Sequence, residues 1–274
     1  PLVAIAAAVA GIIGAFPNLA IEGFALGKPG EPLGAFIAAY VAIEFGNLVA
    51  GKTKLDIVLT PLVSILPGAV AGYLVGPPIS DFMKWVGGIV NYNVQQQPVI
   101  GGIIVAVVMG ILLTLPISSA AIGVAMNLNG LAAGAAVMGC CCNMVGFAVA
   151  SYRENKFGGL IAQGIGTSML QMPNIVKKPI IWLPAIIASA ILGPISAAVI
   201  KMECSPIGSG MGTSGLVGQI ETFTTMTANG VSPVVVMIEI IVMHIVLPAV
   251  IAFGVSEAMR KLGLIKKGDM LLSM

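Results

Sequence analysis

Charge is what this chain has least of. Lys and Arg number 13 and Asp and Glu 11 among 274 residues, so charged side chains make up only 9%. Soluble domains carry about 25%. So few charges cannot clothe a water-facing surface, which excludes an ordinary soluble enzyme or binding domain. The net charge of +2 leaves no footprint for a nucleic-acid partner. Histidine is nearly absent too: His244 is the only one, so His-based nucleophilic catalysis has little material to work with. No phosphate loop, nucleophile–His–acid set or metal-ligand spacing is present. We therefore expect no catalytic residues, no metal site and no cofactor. Three of the four cysteines, Cys140, Cys141 and Cys142, are consecutive. Neighbours on a helix point in different directions, so they read as small packing residues.

What the chain has in excess is apolar surface. Hydrophobic residues make up 58% and mean hydropathy is +1.04. No alternation of apolar and polar residues marks a β-barrel. At about 20 residues per span the length admits about 7–9 membrane-entering segments. The 35 glycines and 17 prolines suit closely packed, interrupted membrane helices. The reading is an all-α integral membrane protein: a polytopic helical bundle with two re-entrant hairpins and an interfacial amphipathic helix. The chain opens at Pro1 inside an apolar run, without a basic stretch ahead of it, so Leu2–Phe16 is not read as a signal peptide and further residues are expected before Pro1.

Taken in order, Leu2–Phe16 and Ala35–Ala50 are apolar segments joined by a polar loop, and Ile57–Val75 is a third, which Gly76-Pro77-Pro78 is expected to stop. Ser80–Gln97 is too polar to cross; Phe82, Trp85, Val86 and Ile89 fall at helical spacing, predicting a short interfacial helix with Trp85 and Tyr92 at headgroup depth. Pro98–Leu115, Leu131–Ala150, Ile180–Ile200 and Pro233–Val255 are further spans, with Pro116–Gly130 small and polar between two of them. Lys52/Lys54, Arg153/Lys156, Lys177/Lys178 and Arg260/Lys261/Lys266/Lys267 all mark the cytoplasmic side.

Two segments, 157–178 and 202–227, flank the span Ile180–Ile200 and are rich in Gly, Ser, Thr, Gln and Asn. Irregular backbone at membrane depth survives only inside protein or beside a watery cavity. Two such segments point to a solute site walled by hairpins. Having Arg153 and Lys178 on one face requires the first segment to enter and leave by that face.

Candidate solute ligands follow. Gln163, Thr167, Ser168, Gln171 and Asn174 in the first segment, and Ser205, Ser209, Thr213, Ser214 and Gln219 in the second, supply the neutral donors and acceptors a polyhydroxylated solute needs. The same Gly, Ser and Thr residues also serve plain close packing. Asn127, Asn129 and Asn143 are placed to line the same cavity, or to act as turn residues and an inter-helix bridge. Glu44 and Asn47, three apart on one helical face, form either a substrate or proton site or a hydrogen bond to a neighbouring helix; an intramembrane carboxylate costs about 2.5–3.5 kcal/mol and needs a reason to be there. Glu239 and His244, five apart, share a face poorly and read as structural.

The run Gly164-Ile165-Gly166-Thr167-Ser168, then Met172-Pro173-Asn174-Ile175, then Pro179 followed by an apolar helix, resembles the membrane-embedded enzyme IIC of bacterial sugar phosphotransferase systems, whose Gly-Ile-x-Glu-Pro motif precedes a short apolar stretch and a helix-opening proline. Gly51–Asp56 running into Pro61 resembles that family's early spans. The similarity covers most of the chain and is greatest to the IIC-like branch described as toxin-regulator membrane proteins. It implies a single transport domain over residues 1–274, a homodimer in a bacterial cytoplasmic membrane, a sugar-like solute, and separate IIA and IIB partner proteins. The family's sugar-binding Glu falls at Thr167 and its following Pro at Ser168, and its upstream His has no counterpart, which leaves coupling to phosphotransfer open. Beside a carrier, the same residues admit a membrane sensor that binds solute without moving it, or an ion-coupled carrier using Glu44.

Overall fold

The computed structural model describes residues 2–15, 32–52 and 55–272, and divides at Gly87 into two compact units. Among the described residues every regular element is a helix, with turns and irregular backbone between them and a single isolated bridge between Gly130 and Cys204. The expected loop between the first two apolar segments lies outside the described residues.

The first unit holds α1 (Leu2–Ala15), α2 (Pro32–Val49) and the start of α3 (Asp56–Gln96). Alanines make the α1–α2 contact close: Ala6, Ala7, Ala38 and Ala42 are buried. At the start of α3 Asp56 accepts from the Gly51 amide at 2.8 Å and from the Thr60 hydroxyl one turn on at 2.6 Å, tying the turn after α2 to the first turn of α3. One expectation is corrected here. Gly76-Pro77-Pro78 does not stop the third helix, which continues to Gln96 with Pro61, Pro67, Pro77 and Pro78 inside it. The two adjacent prolines deprive the carbonyls of Tyr73 and Leu74 of their helical donors. Both residues are exposed. Ser80 to Gln96 are therefore helical, but as a continuation rather than a separate short helix, and Gln97 is the break before the next helix.

The second unit is built around α6 (Gly130–Ala150). α4 (Pro98–Thr114) and α5 (Ser119–Ala125) precede it; α7 (Tyr152–Ile161), α8 (Met172–Lys177), α9 (Leu183–Pro194), α10 (Val217–Ala228), α11 (Pro233–Ile240) and α12 (Leu247–Lys261) follow. Of the 21 residues of α6, 18 are buried. Its sequence, GLAAGAAVMGCCCNMVGFAVA, explains this: most of its residues are Gly, Ala or Cys, so neighbours approach it from all round. A Cβ at Gly139 would fall on the Ala106 carbonyl of α4, and one at Gly134 on the Met202 carbonyl. Cys140, Cys141 and Cys142 are buried free thiols within this packing. Gly102 of α4 and Gly193 of α9 face each other in the same manner.

Among the described residues four helical stretches are long and apolar enough to cross a bilayer: Asp56–Gln96, Gly130–Ala150, Pro179–Ile200 and Pro233–Lys261. Shorter apolar helices are Gly34–Val49 and Pro98–Thr114. Among the described residues wide turns of i→i+5 spacing interrupt three places, Ala162–Gly166, Ile195–Ile200 and Ile241–Val246. The last has a local cause: Pro248 has no N–H to give the His244 carbonyl, so the regular ladder fails there.

Candidate functional site

Neither polar segment forms a through-going helix. The first runs from α7 into the wide turn Ala162–Gly166, an extended Thr167, a tight turn Ser168–Gln171 and α8. Thr167 is spent locally, its hydroxyl accepting from the Met169 amide at 3.1 Å. The second segment is made of tight turns at Gly208–Gly210 and Ser214–Leu216 before α10. Left-handed backbone at Gly212, Gly215 and Leu216 lets it fold back.

The two segments touch. Thr213 donates from its hydroxyl to the Gly164 carbonyl at 2.5 Å, and Ser214 to the Gly166 carbonyl at 3.0 Å. The carbonyls freed by the wide turn are thus the ones the second segment engages.

Beneath this contact lies a buried polar group centred on Asn143, midway along α6. Its Oδ1 accepts from Trp182 Nε1 at 2.8 Å and from the Thr114 hydroxyl at 3.2 Å. Its Nδ2 donates to the Gly139 carbonyl at 3.1 Å and to Ser189 at 3.4 Å. Thr114 and Ser168 share a hydrogen bond of 2.8 Å. Asn143, Thr114, Ser168 and Ser189 are fully buried, so this is a satisfied network in a low-dielectric interior, which rigidifies what it joins. Trp182, Thr114 and Ser189 went unremarked in the sequence; their signal was faint, a tryptophan just after Pro179 and single hydroxyls in apolar runs.

Gln163, Gln171 and Asn174 form a row with a different partner. Gln171 Nε2 donates to Gln163 Oε1 at 2.8 Å and to the Met270 carbonyl at 3.0 Å; Asn174 Nδ2 donates to Gln171 Oε1 and to the Leu271 carbonyl, both at 2.9 Å. Gln163 Nε2 reaches Ser151 at 2.8 Å. Asn155, also unremarked, donates to the Met270 carbonyl at 2.8 Å and accepts from the Leu272 amide at 2.9 Å. Amides read as solute ligands therefore hold the C-terminal segment, and Met270 is buried with Ile265, Ile175 and Phe147.

The remaining candidates lie elsewhere. Ser205 donates to Glu221 at 2.6 Å. Ser209 donates to the Pro206 carbonyl at 2.8 Å. Asn127 is exposed in a left-handed turn, its carbonyl accepting from Asn91 and Asn129. Glu44 and Asn47 are exposed on α2 of the first unit. Gln219 Nε2 lies 3.3 Å from both Cys141 Sγ and His244 Nδ1. His244 is fully buried, and its Nε2 has no partner among the described residues.

Long apolar helices packed on a buried small-residue helix, with two polar interrupted segments meeting in the second unit, define a helical membrane protein. A family model described as "Phosphotransferase system, EIIC" matches residues 1–272, and the chain belongs to that family. Membership puts it among the membrane-embedded sugar-transport components of phosphotransferase systems. Neither a curated protein nor a solved structure gives a match.

Proposed function

We propose that the chain, as one domain over residues 1–274, carries a small polar solute, a sugar or sugar derivative, across a bacterial cytoplasmic membrane by alternating access. In this reading segments 157–178 and 202–227 are re-entrant hairpins, and Ser80–Gln97 lies with Trp85 and Tyr92 at headgroup depth. The protein works as a homodimer beside separate IIA and IIB proteins. The observation that carries the reading is the contact of Thr213 and Ser214 with the Gly164 and Gly166 carbonyls. Hydroxyls on freed backbone carbonyls are neutral hydrogen-bonding groups that a polyol can replace one for one as the segments part. Ser168 and Asn143 anchor the first segment from below. Where the family carries its Glu, Thr167 offers a hydroxyl and no carboxylate. Uptake of labelled sugars into proteoliposomes tests the carrier. Thr213→Val with Ser214→Ala is expected to cut uptake at least ten-fold; unchanged uptake would overturn the role of this contact. Phosphorylated product on adding the general phosphotransferase proteins would show coupling to phosphotransfer.

A sensor that binds without transport is favoured by one observation: Gln163, Gln171 and Asn174 are already satisfied by each other and by the C-terminal segment. Saturable sugar binding with no uptake would decide for it.

A further inference from the structure

At the end of α12 the chain turns back through Gly263, whose φ is +73°, and the residues beyond it return to the start of α7. A cavity of about 570 Å³ opens between them, lined by Arg153, Glu154, Arg260, Lys266 and Lys267. Its volume is in the range of small-molecule sites, about 300–1,000 Å³.

The charges do not balance. Arg153 is held by Glu257 at 2.7 Å, and Arg260 is gripped by both oxygens of Glu154 at 3.0 Å. Four cations against these two carboxylates leave two positive charges over, and the surplus is still two when Asp269, which feels both Lys178 and Lys266, is counted together with Lys178. Asp269, the next carboxylate along, accepts from the backbone amide of Lys266 and is paired with Lys178.

One donor also lacks an acceptor. The Arg260 side chain is only 10% exposed, and its guanidinium is fixed by Glu154 and by the Ala150 carbonyl at 3.0 Å. Yet its buried Nε has no partner among the described residues. An unmatched buried donor is costly, and here it belongs to a residue lining a cavity already too positive.

We infer that this cavity binds an anion bearing a phosphate group. A fixed guanidinium with two ammonium groups beside it matches the several oxygens and the multiple charge of a phosphoryl group better than a lone carboxylate. The positive-inside distribution puts these residues at the cytoplasmic face, where such an anion comes either from a phospholipid headgroup or from a soluble phosphate ester. The inference does not depend on the transport reading.

The test uses the full chain, purified, with thermal unfolding as readout at constant ionic strength set by chloride. Inorganic phosphate is titrated in detergent, and phosphatidylcholine nanodiscs are compared with and without phosphatidylglycerol. A saturable rise of the midpoint with phosphate identifies the soluble source; a rise confined to phosphatidylglycerol discs identifies the headgroup. In either case Lys266→Gln/Lys267→Gln should weaken the apparent affinity at least ten-fold, and Lys177→Gln/Lys261→Gln, the same charge change outside the cavity lining, should leave it alone. No response to either probe, or an equal loss in Lys177→Gln/Lys261→Gln, overturns the site.

Discussion

Lys178 Nζ stands 2.5 Å from Asp269 Oδ2, joining the end of the first polar segment to a residue 91 positions later in the chain. Burial works against the charge on Asp269, but hydrogen bonds from Lys178 and the Lys266 amide, with the two lysine charges, outweigh it and hold the carboxyl below its usual range. A carboxyl depressed in the folded state contributes stability above its unfolded value, about 3.9, and loses it as pH falls through the folded value. Tryptic cleavage at Lys266 and Lys267 is therefore expected to stay slow at neutral pH in the wild type. Tail release, followed by a fluorophore at Leu271→Cys, should appear only below about pH 4. Asp269→Asn should release the tail at pH 7 and abolish that pH dependence.

Gln171 is the hinge of the amide row, and it is fully buried. Gln171→Leu removes the donor to Met270 and Gln163 and the acceptor of Asn174. Stranded buried partners make this cost about 2–3 kcal/mol, read as a lower unfolding midpoint. Cleavage at Lys266 should accelerate in the same variant.

Gly139 and Gly254 make a matched pair. A methyl at Gly139 would strike the Ala106 backbone, whereas Gly254 in α12 meets nothing. Gly139→Ala should cost about 3 kcal/mol or more, because backbone cannot move aside as a flexible side chain can. Gly254→Ala should change stability by under about 1 kcal/mol. Parallel thermal melts check both.

Lys156 has φ 53° and ψ −151° inside α7, a region that suits glycine. Its side chain is exposed. Lys156→Gly is expected to raise stability by about 1–2 kcal/mol, and a fall in the midpoint would show that the lysine has a compensating partner.

Spans were the most legible part of the chain. Ile180–Ile200, read from hydropathy alone, is the stretch Pro179–Ile200, because an uninterrupted apolar run allows few alternatives. The breaks at Gly164–Thr167 and Gly208–Ser214 were legible for a related reason: glycine and hydroxyl residues mark where a helix gives way. Pro77-Pro78 misled, since two missing donors cost less than ending a helix whose next turns are themselves helical. The docking of Met270 on Asn155 and Gln171 left no local trace. It pairs residues about a hundred positions apart through main-chain atoms, and a carbonyl looks the same in every sequence. Likewise the spacing of Glu239 and His244 did not disclose the wide turn Ile241–Val246 that holds His244, which depends on Pro248 beyond both.

The crowding around Gly130–Ala150 has a consequence for how such a protein can diversify. A helix whose glycines and alanines are pressed on several neighbours at once has almost no room for a larger side chain at those positions. Larger side chains should therefore be accommodated in the segments around it sooner than along this central strut.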